Sequence, residues 1–300
     1  MARSDLIDIR AALLIQSVRF ANIYKVAAHH GSTTPPFAKK RANGTPPNLG
    51  GDFFRTSLNV QTPLRGSEDP RLQGPVGPTR TWCYYHPVRP VLIFDLDGTL
   101  VDSKKDLTAS VNYIRNRFDL PVLTEEEIAR FIGNGALMLI RRALGPVATD
   151  ATVQSGLQMF LSYYRAHMLD NTVLYPGVRE TLERLSDCKL AVLTNKPVHF
   201  SCAMLDGLCI YRHFAAVYGG NSFDHKKPDP VGVYKILSDT NGHRDKTWMI
   251  GDSAVDVLTG RNAGVATCGV TYGYATETFK DAPPDFLIDT FCELEGLVHA

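Results

Sequence analysis

The chain has 300 residues, 44% of them hydrophobic and 21% charged, with a formal net charge of +1; that composition excludes a fibrous or low-complexity protein and suits one large domain or two ordinary ones. The near-neutrality hides an asymmetry, because residues 1–90 carry 12 Lys/Arg against 5 Asp/Glu and residues 91–300 carry 20 against 26. An acidic body argues against nucleic acid as the main partner, since that binding needs a basic face for the phosphates.

In chain order, Ser4 to about Ala28 scatters Leu6, Ile9, Leu13 and Val18 at spacings that suit one amphipathic helix. Its most apolar run, Ala11–Val18, lies between Arg10 and Arg19 and is far shorter than the ~18 residues of a membrane span. No membrane partner is expected. From Gly31 to Arg80 the chain is rich in Pro, Gly, Thr, Asn and Arg, a composition that buries too little apolar surface to offset the entropy of ordering. Residues 1–89 therefore read as a low-complexity, largely disordered extension without visible chemistry. Three origins compete: a start codon assigned too far upstream, which ranks first, a targeting peptide, and a regulatory tail. Asp5 and Asp8 count against targeting, because transit peptides are poor in acids.

From Val91 short apolar runs alternate with helical patterns: Val91–Phe94, Leu190–Thr194, Ala215–Tyr218, Thr247–Ile250 and Val265–Val270. Runs without polar alternation suit strands covered on both faces. The expected fold is α/β, a doubly wound, Rossmann-like parallel sheet. Between Lys104 and Thr172 the pattern turns wholly helical, with stripes at Leu107, Val111, Ile114 and Phe118, at Ile128, Phe131 and Ile132, and from Met159 to Tyr164. The expected organisation is a core over 90–103 and 173–300 with a small all-α cap over 104–172. The six cysteines form no Cys-x-x-Cys and no zinc-type cluster, which suits free thiols in a reducing, cytoplasmic setting.

Four polar clusters each follow a strand-like run, and ligands of open α/β sheets sit beyond the carboxyl ends of the strands. Asp95 and Asp97, two residues apart, leave the first run on one side, and Gly98 lets the backbone turn away. Thr194 and Asn195 offer a hydroxyl and an amide to a phosphate oxygen, or else cap a helix beginning near Pro197. Lys226-Lys227-Pro228 is a phosphate clamp or a solvated loop. Gly251-Asp252-Ser253 with Asp256 is a set of carboxylates or an ordinary acidic helix start. Several carboxylates on one rim repel one another unless a cation sits among them. Oxygen ligands select a hard ion, and Mg²⁺ suits a site that also handles phosphate.

In that order the four clusters resemble the motifs of the haloacid dehalogenase-like hydrolase superfamily, over about residues 90–295 and not over 1–89. The resemblance implies Asp95 as the nucleophile that becomes an aspartyl phosphate and Asp97 as the acid and then the base. It implies Thr194 and Lys227 holding the phosphoryl group, with Asn195 beside them. Asp95, the backbone carbonyl of Asp97, and Asp252 would bind Mg²⁺, and Asp256 would orient that shell or Lys227. The acid at position 97 points to phosphate esters rather than to dehalogenation. A narrower resemblance, to bacterial phosphoglycolate phosphatases, rests on Asp95 to Ser103, Gly133-Asn134-Gly135, Tyr175-Pro176-Gly177-Val178, Thr194-Asn195-Lys196-Pro197 and Gly219-Gly220. It implies 2-phosphoglycolate as substrate, bound by the amides of Gly133, Asn134 and Gly135 with Arg142 or Lys196. Another small-molecule phosphatase, for pyrophosphate, a nucleotide or a sugar phosphate, is the alternative, followed by a sugar-phosphate mutase and, last, a retired binding module. The expected partner is a small phosphorylated metabolite, and the expected state is monomer or homodimer.

Overall fold

The structure, a computed structural model, describes residues 88–299. The helix expected over Ser4–Ala28 and the disorder expected over 31–87 lie outside the described residues.

The first strand, β1 (Val91–Phe94), is wholly apolar and fully buried. Alternate side chains enter different clusters, Leu92 and Phe94 one, Val91 and Ile93 another, because successive residues of a strand point to opposite faces. This explains the lack of polar alternation: both faces are covered. A two-residue strand β2 (Val101–Asp102) pairs antiparallel with β3 (Val173–Leu174). Between them run four helices, α1 (Lys104–Arg117), α2 (Glu125–Ala129), α3 (Ala136–Leu144) and α4 (Asp150–His167). The remaining sheet strands are β4 (Lys189–Leu193), β5 (Phe214–Tyr218), β6 (Thr247–Gly251), β7 (Ala266–Val270) and β8 (Phe286–Ile288). Helices α5 (Val178–Arg184), α6 (Val198–Gly207), α7 (Val231–Thr240) and α8 (Ala254–Ala263) connect them, and α9 (Glu293–Val298) follows.

The sheet order is β5-β4-β1-β6-β7-β8, and every neighbouring pair is parallel. Helices α5 and α6 place Val178, Leu182, Phe200 and Met204 against one face. From α7, Val233, Ile236 and Leu237 cover the other. The molecule is therefore a doubly wound α/β fold, as the sequence predicts. Differences lie at the edges. The strand expected over Leu190–Thr194 starts one residue earlier and ends at Leu193, which frees Thr194 from the sheet. The stripe Ile128, Phe131 and Ile132 is helical only to Ala129, since the chain then enters the loop of Gly133 and Gly135, both at positive φ.

Strand β1 lies between β4 and β6, so the chain winds outward through β4 and β5 before returning to the other side of β1. That reversal makes the carboxyl end of β1 the topological switch point, where open α/β sheets bind ligands.

Candidate active site

Asp95 directly follows β1, Thr194 follows β4 and Asp252 follows the end of β6, so the sheet brings three of the four sequence clusters to one edge. The fourth arrives on the loop after β5. There the Lys227 ammonium lies 3.0 Å from Asp95 Oδ1 and 2.6 Å from Asp256 Oδ1. Asp256 sits in the first turn of α8, and its other oxygen accepts from the Ser253 hydroxyl at 2.7 Å and the Ser253 N–H at 3.2 Å. Both Asp256 oxygens are thus committed, and the residue anchors Lys227.

Asp95 Oδ1 also accepts the Leu96 N–H at 2.7 Å. Asp252 Oδ2 accepts the Tyr274 N–H at 2.6 Å. Gly98 stands at φ +85°, and a Cβ there would lie 2.2 Å from Asp252 Oδ2; only glycine satisfies the turn and the close approach together. Gly273 closes the other side, since its Cβ would lie 2.1 Å from Asp252 Cβ.

The electrostatics follow from burial. The Asp95 carboxyl is pushed up from 3.8 to about 6, by burial first, with Asp256 adding and Lys227 opposing. Burial likewise drives the Asp252 carboxyl well up, helped by Asp256 and Asp95. Burial alone would lower Lys227, but Asp256 and Asp95 outweigh it and hold the ammonium charged. One cation therefore serves three buried carboxylates whose ligand oxygens lie within 4.8 Å of one another, and among the described residues Asp252 forms no ion pair. The hydrogen bonds to Asp95 end on Oδ1 and the one to Asp252 on Oδ2, so each keeps an oxygen for a cation. An oxygen-only set with this charge imbalance fits a hard divalent ion.

Asp97 is half-buried and faces the cleft. Its Oδ1 accepts from the Ser103 hydroxyl at 2.5 Å, and both its oxygens lie 3.0 Å from the Lys196 ammonium. Lys196 also donates to the Tyr164 hydroxyl of α4 at 2.8 Å. Thr194 is buried beside them, its hydroxyl accepting the Lys196 N–H at 3.3 Å. The cleft encloses roughly 530 Å³, including space open to solvent, and runs from Asp95 and Asp97 to Gly133, Gly135 and Ala136.

Two sequence-predicted residues are held by loop contacts, Asn195 while still lining the cleft. The Asn195 amide donates to Gly133 O at 2.9 Å and Lys227 O at 3.1 Å, tying the helical segment's loop to the Lys227 loop. The Asn134 side chain turns from the cleft to accept from Arg142 at 2.8 Å. Three other participants went unread in the sequence: Tyr274, Ser103 and Tyr164. Tyr274 follows the end of β7, and that strand-end position was the available signal. Its contribution to Asp252 is a backbone N–H, which no residue type announces.

The profile of the haloacid dehalogenase-like hydrolases matches residues 92–270. A phosphoglycolate phosphatase of Agrobacterium fabrum is 37% identical over 213 residues, covering 69% of this chain and 91% of the relative. One of Haemophilus influenzae is 38% identical over 215 residues, with 68% and 96% covered. Among solved structures, a predicted phosphoglycolate phosphatase of Haemophilus somnus aligns with a TM-score of 0.66 at 32% identity, covering 70% of this chain and 97% of the other. A predicted phosphatase of Clostridium acetobutylicum aligns at 0.63 and 27% identity, with 71% and 100% covered.

Proposed function

The chain belongs to the haloacid dehalogenase-like hydrolase family, and on that premise we propose that it hydrolyses 2-phosphoglycolate to glycolate and phosphate through a phosphorylated Asp95. The observation that carries this reading is Asp95 at the switch point of the sheet, buried yet lining the cleft, with Lys227 at 3.0 Å. The named relatives supply the substrate.

In the first step an Asp95 oxygen forms a bond to phosphorus in line with the ester bond, which breaks. Asp97, on the same rim, gives its proton to the leaving oxygen. In the second step water attacks the phosphorus of the aspartyl phosphate, Asp97 takes its proton, and the Asp95 carboxylate leaves. Lys227 and the Thr194 hydroxyl would donate to the transferring phosphoryl oxygens and offset the charge spread over them. The demand is large, because phosphate monoester hydrolysis needs accelerations up to about 10²¹. Asp95, Asp252 and the backbone carbonyl of Asp97 would hold a Mg²⁺ ion, with Asp256 acting through Lys227. The ion would supply charge neutralisation for the phosphoryl group. Residues 104–172 serve as a cap over the core formed by 90–103 and 173–300, closing the cleft over the substrate.

No described helix is long and apolar enough to cross a membrane, and the five described cysteines are free thiols. We place the protein in the reducing cytoplasm, acting alone or as a homodimer on a small metabolite. The test is phosphate release by the full chain from 2-phosphoglycolate, pyrophosphate, AMP and glucose phosphates, with Mg²⁺ and with EDTA. The expected result is a preference in kcat/KM for 2-phosphoglycolate that EDTA abolishes. A preference for another ester with the same metal dependence moves the protein to the alternative phosphatase reading.

A further inference from the structure

Lys196 is 8% exposed and lines the cleft, whereas Lys227 is taken up by Asp95 and Asp256. Two further cations nearby are engaged by the loop around Asn134. Arg142 donates to Phe131 O at 3.1 Å and to Asn134 Oδ1 at 2.8 Å, and Lys226 donates to Asn134 O at 2.5 Å. The wall around Lys196 is otherwise largely apolar, formed by Leu107, Ile132, Leu139, Phe160 and Phe200. A leaving group that carries a charge into such a wall loses hydration worth several kcal/mol unless a cation receives it. A neutral leaving group needs no such partner.

The ammonium also stands at a defined distance from the chemistry. It lies 3.0 Å from both oxygens of Asp97, the group placed to protonate the leaving oxygen. An anion one carbon from that oxygen is within its reach. Its third partner, the Tyr164 hydroxyl at 2.8 Å, comes from α4. The Tyr164 ring is fixed in turn by stacking on Phe160 at 5.3 Å and by an edge contact with Phe200 at 5.4 Å. The lysine is thus oriented jointly by the sheet edge and the helical segment.

We propose that Lys196, held between Asp97 and Tyr164, is the specificity-determining residue that selects phosphate monoesters whose leaving group bears its own carboxylate beside the ester oxygen. This rests on reading the cleft as a phosphatase site and assigns the recognition of the substrate's second anion to one side chain. Arg142, the other cation expected from the sequence, does not line the cleft.

The test compares 2-phosphoglycolate with 2-hydroxyethyl phosphate, an ester of equal chain length without the second charge, using the full chain with Mg²⁺. Wild type prefers the charged ester. Lys196→Met lowers kcat/KM for 2-phosphoglycolate about 100-fold, the value of a lost charge-assisted hydrogen bond, and lowers it far less for the neutral ester. Lys196→Arg restores part of the preference. Tyr164→Phe, which removes one hydroxyl, raises KM for the charged ester about 5-fold more than for the neutral one; it also serves as the test if Lys196→Met does not fold. Equal losses on both esters, in either variant, overturn the proposal, because Lys196 then acts only through Asp97. A wild type that hydrolyses both esters equally overturns it too, yet leaves the phosphatase reading standing. Failure of Mg²⁺-dependent release from every ester defeats that underlying reading first.

Discussion

Asp106 and Thr172, 66 positions apart, are joined by two hydrogen bonds of 2.8 Å, from the Thr172 N–H and hydroxyl to one carboxylate oxygen. The same carboxylate accepts the Asn171 N–H at 2.9 Å and the Asn171 side-chain amide at 2.9 Å. Asp106 is 1% exposed and stands in the first turn of α1, where a negative charge also favours the helix. The two ends of the helical segment are therefore fastened to each other by a single buried side chain, next to the β2–β3 ribbon through which the segment joins the sheet.

Removing that fastening leaves the two buried Thr172 donors without an acceptor, while those of the exposed Asn171 can turn to water. Asp106→Ala is expected to destabilise the full chain by about 3 kcal/mol or more, read as a fall in Tm of roughly 6–12 °C. A change of less than about 2 °C contradicts this account of the fastening.

Gly98→Ala should damage the acidic site more than the fold. The new Cβ meets Asp252 Oδ2 at 2.2 Å and must adopt φ +85°. Mg²⁺ affinity, measured by calorimetry, is expected to fall about 10- to 100-fold, as when the shell around a metal ligand is disturbed. Unchanged affinity would show that Asp252 does not need its present position.

The raised Asp95 carboxyl gives a pH dependence with a definite sign. Its folded pKa, about 6, lies above its ordinary value of 3.8, so between these values the native state binds more protons than the unfolded one. This group's contribution to stability is complete below about pH 4 and is lost as pH rises through about 6. Thermal melts in EDTA should show that loss for wild type and not for Asp95→Asn. A metal ion requires the ionised form, so Mg²⁺ binding should weaken as pH falls through about 6 and should release protons there. Calorimetry in buffers of different ionisation enthalpy reads the released protons, and binding independent of buffer at pH 6 contradicts the assignment.

What was legible in the sequence, and what was not, divides along physical lines. Val91–Phe94 is readable as a strand because four apolar residues are buried on both faces, and the candidate site residues Asp95, Thr194 and Asp252 are readable because they sit at strand ends. The ribbon of Val101–Asp102 with Val173–Leu174 is too short for any periodicity to register. Strand β8 was missed for another reason: Phe286 and Leu287 are exposed, so it lacks the buried run that marks the others. Asp106 offered no local signal, since its partners lie 65 and 66 positions away. The contact of Lys196 with Asp97 likewise depends on two loops meeting in space.

The central claim is that Asp95 carries the phosphoryl group. The most direct measurement is acid quenching of the full chain during turnover of ³²P-labelled 2-phosphoglycolate with Mg²⁺, followed by peptide mapping. The account predicts an acid-stable, base-labile label on the peptide containing Asp95, absent in Asp95→Asn, a variant that stays folded and retains less than a few per cent of turnover. Label on another residue, or turnover surviving in Asp95→Asn, would contradict it.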